Sequence, residues 1–184
     1  MEIAARCGAR LVGIDFSGEA VRQAGRGQVP DAEVRRVAHP PCVLAGLDAA
    51  WADAVLCVDA IQFAQKPGAA CRELRRVLAP GGRAVLTCWE PLDPDAERLP
   101  DRLRRVDLGS GLAAAGFVSI QVQDRPGWRA SERAMWQEAA ELDPGDDPAL
   151  RAFHDEGVRS LEIFGLVRRV VATATAPAGG ALSR

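Results

Sequence analysis

The chain has 184 residues, long enough for one compact domain with a substantial core. Its 23 Lys and Arg against 25 Asp and Glu leave a formal charge of −2, without the basic excess expected of a nucleic-acid binder. No run approaches the ~20 apolar residues of a membrane span, and the amino terminus lacks the basic-then-apolar order of a secretory signal.

Helical and extended segments alternate along the chain, the pattern of an α/β domain with a largely parallel sheet. Residues 2–7 read as the last turns of a helix that Gly8 stops. Residues 10–15 are predicted as a short strand ending in Asp15. Ser17 is placed to cap a helix over 18–24, ended by Gly25 and Gly27. A second strand is predicted over 32–37, and His39-Pro40-Pro41 must be loop. Residues 53–58 form a continuous apolar run, as expected of a strand in the middle of a sheet covered on both faces.

Ala70, Leu74, Val77 and Leu78 mark the core stripe of a helix, and Ala79-Pro80-Gly81-Gly82 is expected to stop it. The next strand is predicted over 83–89. Residues 90–100 hold three prolines and four acids and read as a surface loop. A short helix over 108–115, a strand over 117–122, two helices over 131–142 and 148–164, and a strand over 166–175 complete the order. Residues 176–184 read as a frayed tail. The whole is one domain over 1–184, with 131–165 as a helical lid inserted before the last strand.

The five cysteines (Cys7, Cys42, Cys57, Cys71 and Cys88) are far apart, without a CxxC pair. They suggest reduced, mostly buried thiols in a cytoplasmic protein, neither a disulfide framework nor a metal site. His39 and His154 are the only imidazoles, and spacing gives neither a catalytic partner. No catalytic residue is assigned.

Taken alone, Val77-Leu78-Ala79-Pro80-Gly81-Gly82-Arg83 is a tight helix-to-strand turn. Together with residues 52–63 and Arg72-Glu73-Leu74-Arg75-Arg76, it resembles the fourth strand, following helix and fifth strand of small-molecule class I S-adenosylmethionine (SAM)-dependent methyltransferases. That family pattern is an acid-led apolar strand, a polar crossover, a helix ending in R-x-L, then P-G-G and a strand. The resemblance implies a Rossmann-like sheet, SAM as cofactor and a small molecule as methyl acceptor, with no nucleic-acid or membrane partner and self-association left open.

Leu11-Val12-Gly13-Ile14-Asp15-Phe16-Ser17 is similar to the family's second strand. The resemblance gives Asp15 the ribose hydroxyls, and Phe16 and Ser17 the surround of the adenosine. A carboxylate at a strand's carboxyl end suits that role, because α/β sheets bind ligands in the crevice there. An exposed aspartate capping a loop or helix is the competing reading. Val58, Asp59 and Ala60 fall where the family passes beneath the methionine arm. Gln62, Trp128 and Trp136 are candidates for the substrate pocket. An ordinary polar strand-to-helix turn is the simpler reading of Asp59 and Gln62, and a core-facing helix position that of Trp136.

The sequence also departs from the family. It contains no acid-x-G-x-G-x-G loop, and residues 1–7 resemble the end of the helix that follows that loop. With the family's strand order of 3-2-1-4-5-7-6, the sheet lacks its first strand, between the strands of Leu11 and Val55. The expectation is a fragment or a mis-started frame, and the alternative a short form that re-pairs or borrows a strand. No acid lies between Val34 and Leu47, which leaves adenine recognition to backbone groups. The expected function is methyl transfer from SAM to an O, N or C nucleophile on a small metabolite, a displacement that needs alignment more than a triad. The rivals are a methyltransferase-like binding or assembly protein without catalysis and, because an acid after a second strand also fits NAD, a nucleotide-dependent oxidoreductase.

Overall fold

The described strands fall into two separate sheets. The computed structural model describes residues 6, 8–15, 17–26, 32–36, 44 and 46–178. In the first sheet β1 (Leu11–Asp15) pairs in parallel with β2 (Ala32–Arg36), from Leu11 against Ala32 to Asp15 against Arg36. Helix α1 (Gly18–Arg26) makes the crossover. Ser17 caps it as expected, its Oγ accepting the Ala20 N–H at 3.2 Å, and the helix runs through Gly25 to Arg26.

The second sheet holds β3 (Ala52–Val58), β4 (Leu78–Pro91), β5 (Val118–Asp124) and β6 (Val167–Thr175), in the order β3-β4-β6-β5. β3 and β4 are parallel, and β6 is antiparallel to both β4 and β5. Three strands therefore share one direction and β6 opposes them. Within each sheet the strands are neighbours in the expected order, β1 beside β2 and β3-β4-β6-β5.

The edge position of β3 overturns the expectation of a fully covered central strand. Among the described residues β3 has a neighbour on one side only, and Leu56 and Val58 are 48% and 66% exposed. The apolar run was read correctly as a strand. The start of β3 still meets the approach to β1, where the Arg10 guanidinium lies 5.6 Å above the Trp51 ring.

Helix α2 (Pro67–Val77) ends at Val77, but the Pro-Gly-Gly turn does not delay the next strand to residue 83. Leu78 already pairs with Ala52, and regular pairing resumes with Ala54 against Arg83. Between those pairs β3 advances two residues and β4 five, so the turn is a large bulge inside the ladder. Its groups are not wasted: the Gly81 N–H donates to Ala176 O at 3.0 Å, and the Ala176 N–H to Gly82 O at 2.8 Å. Ala176, expected in a frayed tail, is fully buried; residues 179–184 lie outside the described residues.

The main core lies against one face of the second sheet. Ala84, Leu86 and Cys88 of β4 and Val170, Ala172 and Ala174 of β6 meet Ala70, Cys71 and Leu74 of α2. The region expected as surface loop divides. Glu90 belongs to β4 and is 3% exposed, while Leu99, together with Leu103 of the short helix α3 (Asp101–Arg104), packs on Val167 in a second small core. Helix α4 (Leu108–Ala114) adds Leu108 and Leu112 to the main core. Asp107 caps it, accepting the Ser110 N–H at 2.9 Å and the Ser110 hydroxyl at 2.6 Å; those bonds hold the Asp107 pKa below its ordinary value.

Cys57, Cys71 and Cys88 are free and buried. Desolvation pushes Cys57 and Cys71 up to about 11, which makes them packing residues and not nucleophiles. Cys7 and Cys42 lie outside the described residues.

The helical insertion is α5 (Pro126–Glu141) and α6 (Pro148–Ile163). α5 begins before the expected residue 131, with Pro126 at its first position, where a missing N–H costs nothing. α6 is capped by Asp147, which accepts the Ala149 N–H at 2.8 Å. The two helices approach closely at Gly157, where a Cβ would stand 2.9 Å from the Ala139 Cβ and 3.0 Å from Trp136 O. Among the described residues no helix is long and apolar enough to cross a membrane.

Candidate active site

A cavity of about 350 Å³ opens beyond the carboxyl ends of β3 and β4, walled on its far side by the α5–α6 hairpin. Asp59, Gln62, Trp89, Glu132, Trp136 and Phe164 are among its lining residues. Three of them (Asp59, Gln62 and Trp136) were singled out in the sequence.

Asp59 leaves β3 with a left-handed backbone, φ 53°, fixed by its N–H donating to Thr87 O at 3.0 Å. This turns the chain out of the sheet and into the 3-10 turn Ile61–Phe63. The carboxylate is fully engaged. Arg169 donates to both oxygens, with Nη2 to Oδ2 at 2.6 Å and Nη1 to Oδ1, and Thr87 Oγ1 donates to Oδ1 at 3.1 Å. The Arg169 side chain is only 5% exposed, its Nε lies 3.1 Å from Glu132 Oε1, and its guanidinium stands 5.5 Å from the Trp89 ring. One cation on β6 thus joins the turn after β3 to helix α5.

Gln62 is buried and its Oε1 accepts the Trp89 N–H at 3.1 Å. That bond fixes the amide and leaves Nε2 as its donor. Trp136 lines the cavity and meets Phe153 of α6 at 5.9 Å. Trp128 is not among the lining residues; it is 47% exposed, with the Arg125 guanidinium 5.3 Å above its ring. His154 stands on α6 with Nδ1 3.2 Å from Asp155 Oδ1.

The other sequence candidates sit on or beside the two-stranded sheet. Asp15 Oδ1 accepts the Ser17 N–H at 2.7 Å, an aspartate turn that launches α1, while the Ser17 hydroxyl is taken by its cap. Phe16, His39 and the stretch 37–42 considered for adenine lie outside the described residues. Val58 is exposed at the free edge of β3 and Ala60 is partly buried.

SAM can be tested against these groups. Asp15 has one oxygen engaged by Ser17 and keeps Oδ2 as an acceptor, as holding a ribose hydroxyl requires. The exposed Val58 offers apolar surface at the end of β3. Both fit a nucleoside. Asp59 fits less simply, because its charge is already matched by Arg169.

Glu132 was not anticipated from the sequence. Burial pushes its pKa up; Arg169 pulls it down and Asp59 pushes it further up, with a net rise from 4.5. Its Oε2 is buried and has no hydrogen-bond partner. The folded protein holds this proton to higher pH than the unfolded chain does, so ionisation removes stability as pH climbs from 4.5 through the raised value. Glu132→Gln is therefore expected to gain melting temperature relative to the parent as pH rises from about 4 to about 8. A difference that stays flat over that range would mean that the carboxylate is fully compensated.

Residues 1–86 match a family described as "Methyltransferase domain". No curated protein matches the sequence. Among solved structures, the (4+2)-cyclase SpnF superposes with a TM-score of 0.70 at 22% identity, over 97% of this chain and 70% of that one. Phosphoethanolamine N-methyltransferase 2 of Haemonchus contortus, solved with SAM, gives 0.74 at 16% identity, over 96% of this chain and 45% of that one. Geranyl diphosphate C-methyltransferase of Streptomyces coelicolor gives 0.65 at 15% identity, over 95% and 65%. The chain thus spans less than half of the nematode enzyme's length and about two thirds of the other two.

Proposed function

We propose that this chain, which carries the SAM-dependent methyltransferase fold and a methyltransferase-domain sequence over residues 1–86, binds SAM at the carboxyl ends of β1 and β3. It presents the methyl group to a small molecule in the cavity beside Asp59. The observation that carries this reading is the cavity's position, beyond the carboxyl ends of β3 and β4, where α/β folds bind their ligands. Bound SAM supplies an electrophilic methyl on a sulfonium. The chain's own part is alignment. Asp15 holds the ribose, Phe16 and Ser17 flank the adenosine, and Val58, Asp59 and Ala60 line the methionine side. Gln62 and Trp136 orient the acceptor, and the α5–α6 hairpin keeps water out. The buried free thiols are the support for a cytoplasmic setting.

The acceptor atom is an O, N or C nucleophile on a small metabolite. The similar structures include an N- and a C-methyltransferase, so likeness to them does not choose the atom. The second reading, a binding protein of this fold without catalysis, draws on one observation: the Asp59 carboxylate is committed to Arg169. Fold alone does not decide between them.

Calorimetric titration of SAM into the 184-residue protein separates the two. The methyltransferase reading expects measurable binding, weakened roughly tenfold or more in Asp15→Ala, the loss of a hydrogen bond to a charged group. Unchanged affinity in Asp15→Ala would remove Asp15 from the site. No binding by the parent would leave the non-catalytic reading.

A further inference from the structure

We propose that the cavity receives an amine in its ammonium form, with Glu132 Oε2 accepting its N–H and the Trp136 ring packing against its alkyl groups. The inference deepens the methyl-transfer reading by naming the acceptor class, and its binding claim stands without SAM.

The acids of the lining are Asp59, Glu132 and Glu156, and its one base is Arg102. These charges are not equally available. Asp59 is held by Arg169, Glu156 pairs with Arg159 at 2.9 Å, and the Arg102 guanidinium lies 4.8 Å from the Phe63 ring. Glu132 alone has an oxygen that is buried and without a partner. A buried acceptor in that state is costly until a donor arrives, and an incoming N–H carrying positive charge relieves it best.

The aromatic lining makes the same selection. Trp89 faces Arg169 at 5.5 Å and Phe164 faces Arg129 at 4.5 Å, so the rings of this cavity already bind cations from the chain itself. Among the described residues no arginine lies over Trp136. Glu132 and Trp136 are four residues apart on α5, one turn along the same helix face. A methylated ammonium placed there meets a carboxylate oxygen on one side and a ring on the other, the pairing that favours alkylated amines over neutral isosteres. A free carboxylate or phosphate would face the unpartnered Glu132 Oε2 with like charge, and is disfavoured; Oε1 is already 3.1 Å from Arg169 Nε. For a nucleophile the consequence is direct: as the N–H bond breaks and the proton passes to Glu132 Oε2, the nitrogen lone pair is freed for reaction.

The test compares two probes of the same shape, N,N-dimethylethanolamine (charged at neutral pH) and 3-methyl-1-butanol (neutral). Each is titrated into the 184-residue protein without SAM, at fixed ionic strength, followed by calorimetry and tryptophan fluorescence. The amine is expected to bind at least about tenfold more tightly. Glu132→Gln, with its near-ultraviolet circular dichroism checked against the parent, is expected to abolish most of that preference, and Trp136→Leu to reduce it several-fold. Equal binding of the two probes by the parent overturns the proposal whether or not the variants fold, as does an amine preference that survives in folded Glu132→Gln. A protein that binds SAM but not the amine refutes this inference alone. One that binds the amine but not SAM refutes the methyl-transfer reading alone.

Discussion

Replacing Arg169 with methionine is expected to destabilise the fold by on the order of 3 kcal/mol, the low end of what breaking a buried ion pair costs. The guanidinium is 5% exposed and Asp59 41%, so Asp59 can recover part of its hydration when its partner is lost. Glu132 cannot do so as easily, since burial already pushes its pKa up. The variant also removes the cation over Trp89 and the clamp on a turn whose backbone is left-handed at Asp59. Methionine keeps much of the side-chain volume, so the loss reports charge more than packing. Adding Asp59→Asn removes the stranded charge, and the double variant is expected to recover about 1–2 kcal/mol relative to Arg169→Met alone. Urea unfolding of Arg169→Met, Asp59→Asn and the double variant checks this. A single-variant loss below about 1 kcal/mol, with no coupling in the cycle, would mean that the network is only decorative.

Much of the architecture was legible because it rests on local patterns. Alternation of helix and strand, the Ser17 cap, the apolar run before Asp59 and the stripe Ala70, Leu74, Val77 each follow from short-range rules, and each is found in the structure. What the sequence hid was decided at long range. Whether residues 52–58 are central or at an edge depends on a neighbouring strand, not on their own composition. Glu90 read as loop because prolines and acids follow it, yet its Oε1 accepts the Leu108 N–H at 2.7 Å and its Oε2 meets Arg168 at 2.8 Å. The missed signal lay in the last strand. Arg168-Arg169 directly precedes the buried run Val170-Val171-Ala172, and a charge in such a place must find a partner. That rule predicts that acids exist for the pair. It does not say that they are Glu90 and Asp59, separated from it by 78 and 110 residues.

The candidate site divides on the same line. Asp59, Gln62 and Trp136 were found because they follow a recognisable strand or sit on a periodic helix, and all three reach one cavity. Glu132 and Arg169 escaped because their importance lies in which atoms are satisfied. A glutamate on a helix is ordinary in sequence. It becomes informative only when one oxygen is seen near Arg169 and the other is buried with nothing beside it. Asp59 carries the converse lesson: its place in the chain suggests a ligand contact, while its geometry shows an acid already occupied by the protein.

Gly82→Ala is expected to cost about 2 kcal/mol, within the range for overpacking a closed site, and more than Gly81→Ala beside it. The two glycines serve different purposes. Gly81 has φ +80° with no atom within 4 Å of where a Cβ would stand, so alanine there pays only for the left-handed backbone, about 1 kcal/mol. At Gly82 a Cβ would fall 2.8 Å from Ala79 O, 3.0 Å from the Leu78 Cδ2 and 3.1 Å from Asp53 O. Two of those atoms are backbone, and Gly82 O is itself held by the Ala176 N–H, so the strain has no flexible side chain to absorb it. Relief requires moving β4 away from β3. The displacement would carry Thr87 away from Asp59, since the Val58–Thr87 pair closes the register that sets their contact. Urea unfolding of both variants decides the matter: a loss at Gly82 equal to or smaller than that at Gly81 would show that the bulge can open freely. If the larger loss is found, the Pro-Gly-Gly segment does more than end a helix. It fixes how far along β3 the fourth strand begins, and through that register it sets the position of the acid at the mouth of the cavity.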